Sequence, residues 1–382
     1  MANTLNDLIP TLYEALDIVS REMVGFIPAV TRNSSAARAA LGQAVSYPVA
    51  PPVTPADIAP GVTAPNDGDQ TIGVGTLTIQ KSRSASVRWN GEEQLAVGHS
   101  GQYNQVLRDQ FTQAMRSLVN EVEQDLGALY VHASRAIGVA GTTPFGTAND
   151  FTDFAGLLRI LDENGAPATD RQLVLGSAAI ANIRGKQSVL FKANEAGTDE
   201  LLRRGIVGRV EGLDIHNSAG TRSHTKGTSA GHLVNEASGA ALGATTIGAD
   251  TGTGTIIAGD VLKFDSDATR LYVVASALDA GDFVINAPGL LVPVADDAPI
   301  AVQASYAANL GFHRSAIHLV TRAPAMPEGG DAADDVLEVT DPISGLSFQV
   351  AVYRQYRQVR YEVGLAWGVK AVKPEHIAIL LG

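Results

Sequence analysis

A long proline-free stretch, residues 102–137, constrains the fold of this chain more than any other part of the sequence. Its apolar residues recur at steps of three or four, which places them on one face of an α-helix. They are Leu107, Phe111, Met115, Leu118, Val122, Leu126, Leu129, Ala133 and Ile137. The sequence therefore predicts one helix on the order of 54 Å long. A single narrow stripe favours a strut lying along a sheet, although an ordinary long core helix fits the same pattern.

The residues before this helix predict a short helix and then an extended arm. Apolar residues at helical spacing predict a first helix over residues 4–24. Repeated prolines exclude a helix between residues 45 and 65, and strand-like alternation follows from Ile72 to Trp89. We interpret residues 45–89 as a projecting two-stranded arm. Because an isolated hairpin is only marginally stable in water, this predicted arm is expected to rest on another subunit.

Downstream of the long helix, the pattern is typical of a mixed α/β region. The sequence predicts a helix over residues 150–162, a buried strand over 172–175, a helix over 177–184 capped by Ser177, and a short strand over 213–215. Residues 222–305 differ, because short apolar runs separated by Gly or Asp turns predict a small β-barrel or sandwich.

Mixed character resumes after residue 305. Two alternating strands, residues 346–353 and 358–367, are predicted on either side of the Arg354-Gln-Tyr-Arg357 turn, and a last strand is predicted over residues 376–381. We therefore expect an α+β fold in which residues 222–305 are inserted into an α/β domain.

Composition excludes several classes of function. The chain of 382 residues contains no Cys, so neither a disulfide framework nor a thiolate metal site is available. A formal net charge of −12 argues against tight, sequence-independent binding of nucleic acid. No apolar run is long enough for a membrane span, and the first residues lack the pattern of a signal peptide. We expect a soluble protein made inside the cell, with no membrane partner.

One motif raises the alternative of a serine hydrolase. Residues 227–231 match the G-x-S-x-G pattern with Ser229 as the nucleophile, and His224 lies nearby in the sequence. That pattern requires an apolar strand before the serine and a helix after it, and the flanking residues favour neither. A flexible loop is the better interpretation. No phosphate loop, calcium loop or zinc spacing is intact elsewhere, so no cofactor, metal site or catalytic residue is predicted.

Two groups of charged residues each allow a functional interpretation and a purely structural one. Asp331, Asp334 and Asp335 could bind a cation, but a solvated loop is the favoured interpretation. Arg354, Arg357 and Arg360 surround a tight turn, and they fit equally well a solvated hairpin tip or an ion-pairing contact with a neighbouring chain.

The order of these segments resembles the major capsid proteins of tailed bacteriophages, which share the Hong Kong 97 type fold. Three strings are similar to one subgroup, the coat proteins of short-tailed transducing phages with an inserted β-barrel. These strings are Leu8-Ile-Pro-Thr-Leu-Tyr-Glu-Ala-Leu-Asp17, Phe26-Ile-Pro-Ala-Val30 and Asn309-Leu-Gly-Phe-His-Arg-Ser-Ala-Ile-His-Leu-Val320. The inserted segment here is shorter than expected for that subgroup.

This resemblance implies a division of the chain into named parts. The implied parts are an N-terminal arm and helix (1–44), an E-loop (45–98), the spine helix of the peripheral domain (99–138), an axial domain (139–221 and 306–345), an insertion domain (222–305) and closing strands of the peripheral domain (346–382). It also implies candidate contacts between subunits. These are Lys81, Arg83, Arg88, Trp89, Arg354, Arg357, Arg360, Asp331, Asp334 and Asp335.

The resemblance further implies a non-enzymatic coat protein. Its copies would form hexamers and pentamers of an icosahedral head around double-stranded DNA that is not tightly bound. Scaffolding protein, portal protein and a decoration protein are the implied partners, with assembly in the host bacterial cytoplasm and a final location in the virion. An encapsulin-like nanocompartment shell is the alternative within the same fold.

Some relatives in this fold join their subunits by an isopeptide bond between an arm Lys and a peripheral-domain Asn. Lys81 is the one candidate nucleophile, since no other Lys precedes Lys186. Residues 346–382 contain no Asn to act as acceptor. We therefore expect no crosslink, and we expect Lys81 to face solvent.

Overall fold

The computed structural model describes residues 24–49, 71–98, 103–187, 208–340 and 345–382, together with the isolated residues 55, 57 and 60. The predicted helix at residues 4–24, apart from its last residue, and most of the proline-rich segment at residues 45–65 lie outside the described residues. The described helices are α1 (Phe26–Ala29), α2 (Gly91–Gly98), α3 (Tyr103–Gly127), α4 (Thr152–Glu163) and α5 (Ser177–Lys186).

The described strands follow in chain order. The first nine are β1 (Thr31–Ala39), β2 (Ala44–Val49), β3 (Gly73–Thr78), β4 (Lys81–Asn90), β5 (Arg135–Ile137), β6 (Arg171–Leu175), β7 (Arg209–Val210), β8 (Leu213–Asn217) and β9 (Arg222–His224). The next six are β10 (Leu233–Val234), β11 (Thr246–Asp250), β12 (Val261–Phe264), β13 (Asp267–Asp279), β14 (Asp282–Ile285) and β15 (Ile300–Val302). The last six are β16 (Tyr306–His313), β17 (Ile317–Pro324), β18 (Asp335–Thr340), β19 (Ser347–Gln355), β20 (Gln358–Ala371) and β21 (Ile377–Leu381).

The long helix α3 is shorter than the sequence predicts. Its apolar stripe is confirmed, since the side chains from Leu107 to Leu126 in that stripe are buried. The helix ends at Gly127, however, and the chain continues as a 3₁₀ turn and then as strand β5. A Cβ on Gly127 would lie 2.1 Å from the carbonyl oxygen of Gly220, so only glycine fits at the end of α3. The 25-residue helix is therefore roughly 38 Å long.

A six-stranded sheet lies beneath α3. Its order is β1-β17-β20-β19-β18, and β4 pairs with the other side of β20. The buried stripe of α3 belongs to the same apolar core as this sheet, where Phe111 contacts Tyr361 edge to face at 5.6 Å between ring centroids. The expectation of a strut along a sheet is thus confirmed.

The predicted two-stranded arm is only partly correct. Strands β2 and β3 form a separate antiparallel pair, called here the β2–β3 ribbon. Strand β4, which the sequence places in the same arm, instead pairs with β20 from Trp367↔Lys81 to Gln358↔Asn90. The reason is the apolar face of β4: Trp89 is buried against α3, and Ala85 and Val87 are partly buried beside it. A strand with one apolar face is stable only when that face is covered.

The second sheet joins the remaining strands. It contains the strands predicted at residues 172–175, 213–215 and 376–381, which are β6, β8 and β21. Helices α4 and α5 lie close to the helices predicted at residues 150–162 and 177–184. Ser177 is the first residue of α5 rather than its cap, because Gly176 occupies the cap position without a side-chain hydrogen bond.

Residues 234–302 have an apolar core of their own, which includes Leu262, Phe264 and Tyr272. Two strands nevertheless connect the predicted insertion to its surroundings. Strand β9 pairs with β16, and β13 pairs with β5. An autonomous domain over residues 222–305 stays a prediction.

Candidate intersubunit surfaces

Lys81 lies at the point where the β2–β3 ribbon meets the body of the molecule. Its Nζ atom is 2.8 Å from Oδ1 of Asp125 and 2.9 Å from Oε1 of Glu121, both on α3. The second carboxylate oxygen of Asp125 accepts a hydrogen bond of 2.9 Å from the indole N–H of Trp367 on β20. Arg83 lies 3.3 Å from Glu121. We call Lys81, Glu121, Asp125 and Trp367 the Lys81 cluster.

The expectation that Lys81 faces solvent is wrong. About one third of its side chain is exposed, and the ammonium is held by two carboxylates. Burial lowers the pKa of Lys81, but the hydrogen bonds and charges of Asp125 and Glu121 outweigh burial and leave the pKa above its usual value. The amine is therefore kept protonated, which is the opposite of what a nucleophilic lysine needs.

The structure brings Trp89 and the Arg354 turn together, although they are far apart in the sequence. Val359 pairs with Trp89 across β20 and β4, and the N–H of Gly91 donates to the carbonyl of Arg357 at 3.2 Å. A cavity of about 640 Å³ opens at this junction. Its lining residues are Trp89, Asn90, Gly91, Glu92, Gln94, Arg354, Gln355, Arg357, Gln358 and Val359. The indole N–H of Trp89 donates to Gln110 at 2.8 Å, so the ring itself is fixed by α3.

The turn beside this cavity has an unusual conformation. Gln355 pairs with Gln358, so Tyr356 and Arg357 form a two-residue turn. Arg357 has φ of 58°, a left-handed conformation that favours glycine. Tyr356 is 88% exposed. The guanidinium carbon of Arg357 lies 5.7 Å from the centroid of the Tyr356 ring. An exposed aromatic ring beside a left-handed arginine makes this tip a candidate contact surface. We call residues 354–358 and Trp89 the tip surface.

The three acidic residues lie near the Arg354 turn, and one of them forms an ion pair with it. Asp334 lies 3.0 Å from the Nε atom of Arg354, and Asp331 accepts a hydrogen bond of 2.7 Å from Tyr353. That bond, with the N–H of Ala333, lowers the pKa of Asp331. Asp335 begins β18, opposite Val352. Within the described ranges, no group of three or more His, Cys, Asp or Glu side chains is arranged to hold a metal ion.

The two remaining arginines lie next to each other. Arg88 is exposed on β4, directly opposite Arg360 in the register of β20. Arg360 lies 2.6 Å from Glu362 on its own strand. Of the sequence-predicted contacts, Trp89, Arg354 and Arg357 therefore meet at one surface. Arg88 and Arg360 lie close by on the paired strands, while Lys81 and Arg83 lie at the ribbon.

Glu123 on α3 belongs to no site that the sequence predicts. Glu123 is only 2% exposed. Its carboxylate accepts hydrogen bonds from the backbone N–H groups of Gly25, Phe26 and Ile27 at 3.3, 3.0 and 2.8 Å. The hydroxyl of Ser218 donates to it at 2.5 Å. A buried carboxylate on a polar helix face has no signature in hydrophobic periodicity, so only the tertiary structure identifies it.

The hydrolase motif does not form a nucleophile elbow. Ser229 lies in a non-helical segment between β9 and β10, and its hydroxyl contacts Nδ1 of His232 at 2.8 Å. His224 contacts Asp260 and Tyr130 instead, each at 2.9 Å. The strand-turn-helix context that exposes a catalytic serine is therefore lacking around Ser229.

Comparison with known proteins identifies similar structures but no family. No family model and no curated protein matches the chain. Similar solved structures include one from Mycobacterium phage Che8, with 14% identity and a TM-score of 0.43 over 89% of this chain and 84% of that one. The capsid of the cyanophage P-SCSP1u has 11% identity and a TM-score of 0.46 over 92% and 86%. A virus-like particle from Pyrococcus furiosus has 11% identity and a TM-score of 0.45 over 98% and 99%.

Proposed function

We propose that this chain is the major capsid protein of a phage, with a Hong Kong 97 type fold, and that its copies assemble into a closed shell. The observation that carries the proposal is the β2–β3 ribbon. Among the described residues it pairs with no third strand, and Ile72 and Val74 at its outer end are 66% and 67% exposed. The base of the ribbon packs on the six-stranded sheet through Leu77. The exposed apolar side chains at its outer end are therefore the part that a partner surface would cover.

The arrangement around the ribbon supports the same proposal. Helix α3 lying on the six-stranded sheet would be the spine of the peripheral domain, and the ribbon would be the projecting part of the E-loop. The second sheet with α4 and α5 would be the axial domain, and residues 222–305 would be its insertion. The tip surface, at the opposite end of β4 from the ribbon, would be a second contact between neighbouring subunits.

The finer parts of the proposal follow from this role. Hexamers and pentamers would tile an icosahedral head around double-stranded DNA, with scaffolding and portal proteins as partners during assembly in the host cytoplasm and with a decoration protein where one is present. The net charge of −12 suits a container that does not hold its DNA tightly. None of the helices in the described residues is both long and apolar enough to cross a membrane.

The test is assembly of the purified full-length chain, observed by negative-stain electron microscopy and sedimentation velocity. We expect the double substitution Ile72→Ser with Val74→Ser to abolish shells while leaving thermal unfolding of the subunit unchanged. The matched control is Val139→Ser with Leu242→Ser, because these side chains are 68% and 65% exposed but lie outside the ribbon. A wild type that remains monomeric under all assembly conditions would contradict the proposal. Equal assembly of both double variants would show that the ribbon is not the contact.

A further inference from the structure

We propose that Lys81 is a positioning residue: it fixes the angle at which the β2–β3 ribbon leaves the body. The Lys81 cluster holds the start of β4 against α3, and only Ile79 and Gln80 separate Lys81 from the end of β3. The inference rests on the proposed function only for its consequence in a shell, where the ribbon angle would determine the angle between neighbouring subunits.

Asp125 connects three elements through one side chain. One carboxylate oxygen contacts the Lys81 ammonium on β4, and the other accepts the indole N–H of Trp367 on β20. Because both carboxylate oxygens of Asp125 are bonded, β4 cannot shift relative to α3 without breaking the contact with Lys81 or the hydrogen bond from Trp367. Lys81 and Trp367 are also paired across the two strands, and Nζ of Lys81 lies 5.8 Å from the centroid of the Trp367 ring. The position of Lys81 is thus determined from two sides.

The link between Lys81 and the ribbon is stiff. The N–H of Gln80 donates to the carbonyl of Trp367 at 2.9 Å, and the Gln80 side chain donates to the carbonyl of Val369 at 3.0 Å. Gly368 allows a close approach of the ribbon, since a Cβ there would lie 2.1 Å from the carbonyl oxygen of Thr78. A change in the position of Lys81 would therefore be transmitted to β3 rather than absorbed by a loop.

Ionic contacts and an apolar contact both hold the base of the ribbon, because Leu77 and Ile79 are buried in one cluster with Val320 and Ala366. Among the residues that the structure describes, the ionisable groups in direct contact with Lys81 are carboxylates, and Glu121 also contacts Arg83 at 3.3 Å. Because the Lys81 side chain is partly exposed, its loss removes no core volume and should leave the fold intact. Removing its charge should therefore loosen the ribbon angle, while the buried Leu77 and Ile79 keep the base of the ribbon on the sheet.

The test measures the ribbon angle directly. The chain contains no Cys, so Val74→Cys on the ribbon and Ser117→Cys on α3 provide two unique sites for spin labels. Both positions are exposed. Pulsed EPR on full-length protein diluted with unlabelled chain then reports the distance distribution within one subunit. We expect a narrow distribution for the wild type and a clearly broader or displaced one for Lys81→Met.

Three further variants make the result specific. Lys81→Arg should restore a narrow distribution, because a guanidinium can bind both carboxylates. Asp125→Asn should broaden the distribution, because the amide oxygen can still accept from Trp367 but the charge for Lys81 is gone. Lys226→Met makes the same chemical change at an exposed lysine away from the cluster and should have no effect.

The outcomes separate this inference from the proposed function. Unchanged distributions in both Lys81→Met and Asp125→Asn would overturn the inference, whether or not shells form. Broadening in both variants, with the wild type unable to form shells, would support Lys81 as a positioning residue and contradict the capsid assignment. Where shells form, Lys81→Met should give a wider range of particle diameters than Lys81→Arg.

Discussion

The Oε1 atom of Glu123 accepts a hydrogen bond from the backbone N–H of Ile27 at 2.8 Å. This contact attaches the first described helix, α1, to the C-terminal end of α3. Two residues away on either side, Glu121 and Asp125 point to the other side of α3 and hold β4. Successive acidic residues of one helix thus anchor two different segments, because positions two apart in an α-helix face nearly opposite directions.

Replacing Glu123 should destabilise the folded subunit. In Glu123→Gln the amide NH₂ would face backbone N–H groups of residues 25–27, so buried donors would lose their acceptor. We expect a loss of about 1–3 kcal/mol in the free energy of unfolding, measured by urea denaturation. The matched control is Asn120→Ala on the same helix, which changes an exposed side chain and should have little effect. Equal stability of Glu123→Gln and wild type would contradict the anchoring role.

The same carboxyl should make stability depend on pH. Burial raises the pKa of Glu123, and the hydrogen bonds from Ser218 and the α1 backbone only partly offset this. The folded chain therefore binds this proton more tightly than the unfolded chain. The resulting stabilisation is complete below the ordinary pKa of glutamate, about 4.3, and is lost as the pH rises through the raised pKa.

The measurement is the difference in free energy of unfolding between wild type and Glu123→Gln across this pH range. We expect the difference to shrink as the pH rises, while groups common to both proteins cancel. A difference that is constant or grows with pH would show that the carboxylate form is the favoured one in the folded chain.

Local periodicity predicted the elements whose burial is decided within one segment. The stripe of α3 is an example, because helical spacing alone defines its buried face. The end of α3 at Gly127 was missed, because the apolar spacing continues through Leu129, Ala133 and Ile137 although the chain changes to a 3₁₀ turn and strand β5. The pairing of β4 with β20 was also missed, because alternation identifies a strand but not its partner.

The candidate site also combines features that the sequence predicts with features that depend on distant segments. Trp89, Arg354 and Arg357 could be named from the sequence as candidates, but nothing local places a residue of β4 beside a turn more than two hundred positions away. The ion pair between Asp334 and Arg354 was likewise not predicted from the sequence. Both residues were therefore interpreted as possible contacts with a cation or a neighbouring chain.

Lys81 should form no covalent crosslink. An isopeptide bond requires a neutral amine, whereas the carboxylates of Asp125 and Glu121 hold Lys81 in its charged form. Assembled protein boiled in denaturant should run as a single band near 39.8 kDa, with the same pattern in Lys81→Ala. A ladder of multimers that is present in the wild type and lost in Lys81→Ala would overturn this prediction.

Arg357→Gly should weaken association between subunits without lowering the free energy of unfolding of the subunit. Glycine adopts a φ of 58° without strain, so the substitution should leave the free energy of unfolding unchanged or raise it by about 1 kcal/mol. The arginine side chain would nevertheless be missing from the cavity beside Trp89. If the tip surface is a contact between subunits, association should weaken even though the subunit is no less stable.

A second left-handed residue provides the matched control for Arg357→Gly. Glu211 has φ of 51° and is exposed, but it lies in the turn between β7 and β8, outside the tip surface. Glu211→Gly should relieve the same kind of backbone strain and leave association unchanged. Urea denaturation measures subunit stability, and sedimentation velocity measures association. Neither variant should be less stable than the wild type, and only Arg357→Gly should associate more weakly. If Arg357→Gly assembles as well as Glu211→Gly, the strained arginine serves the turn alone and the tip surface is not a subunit contact.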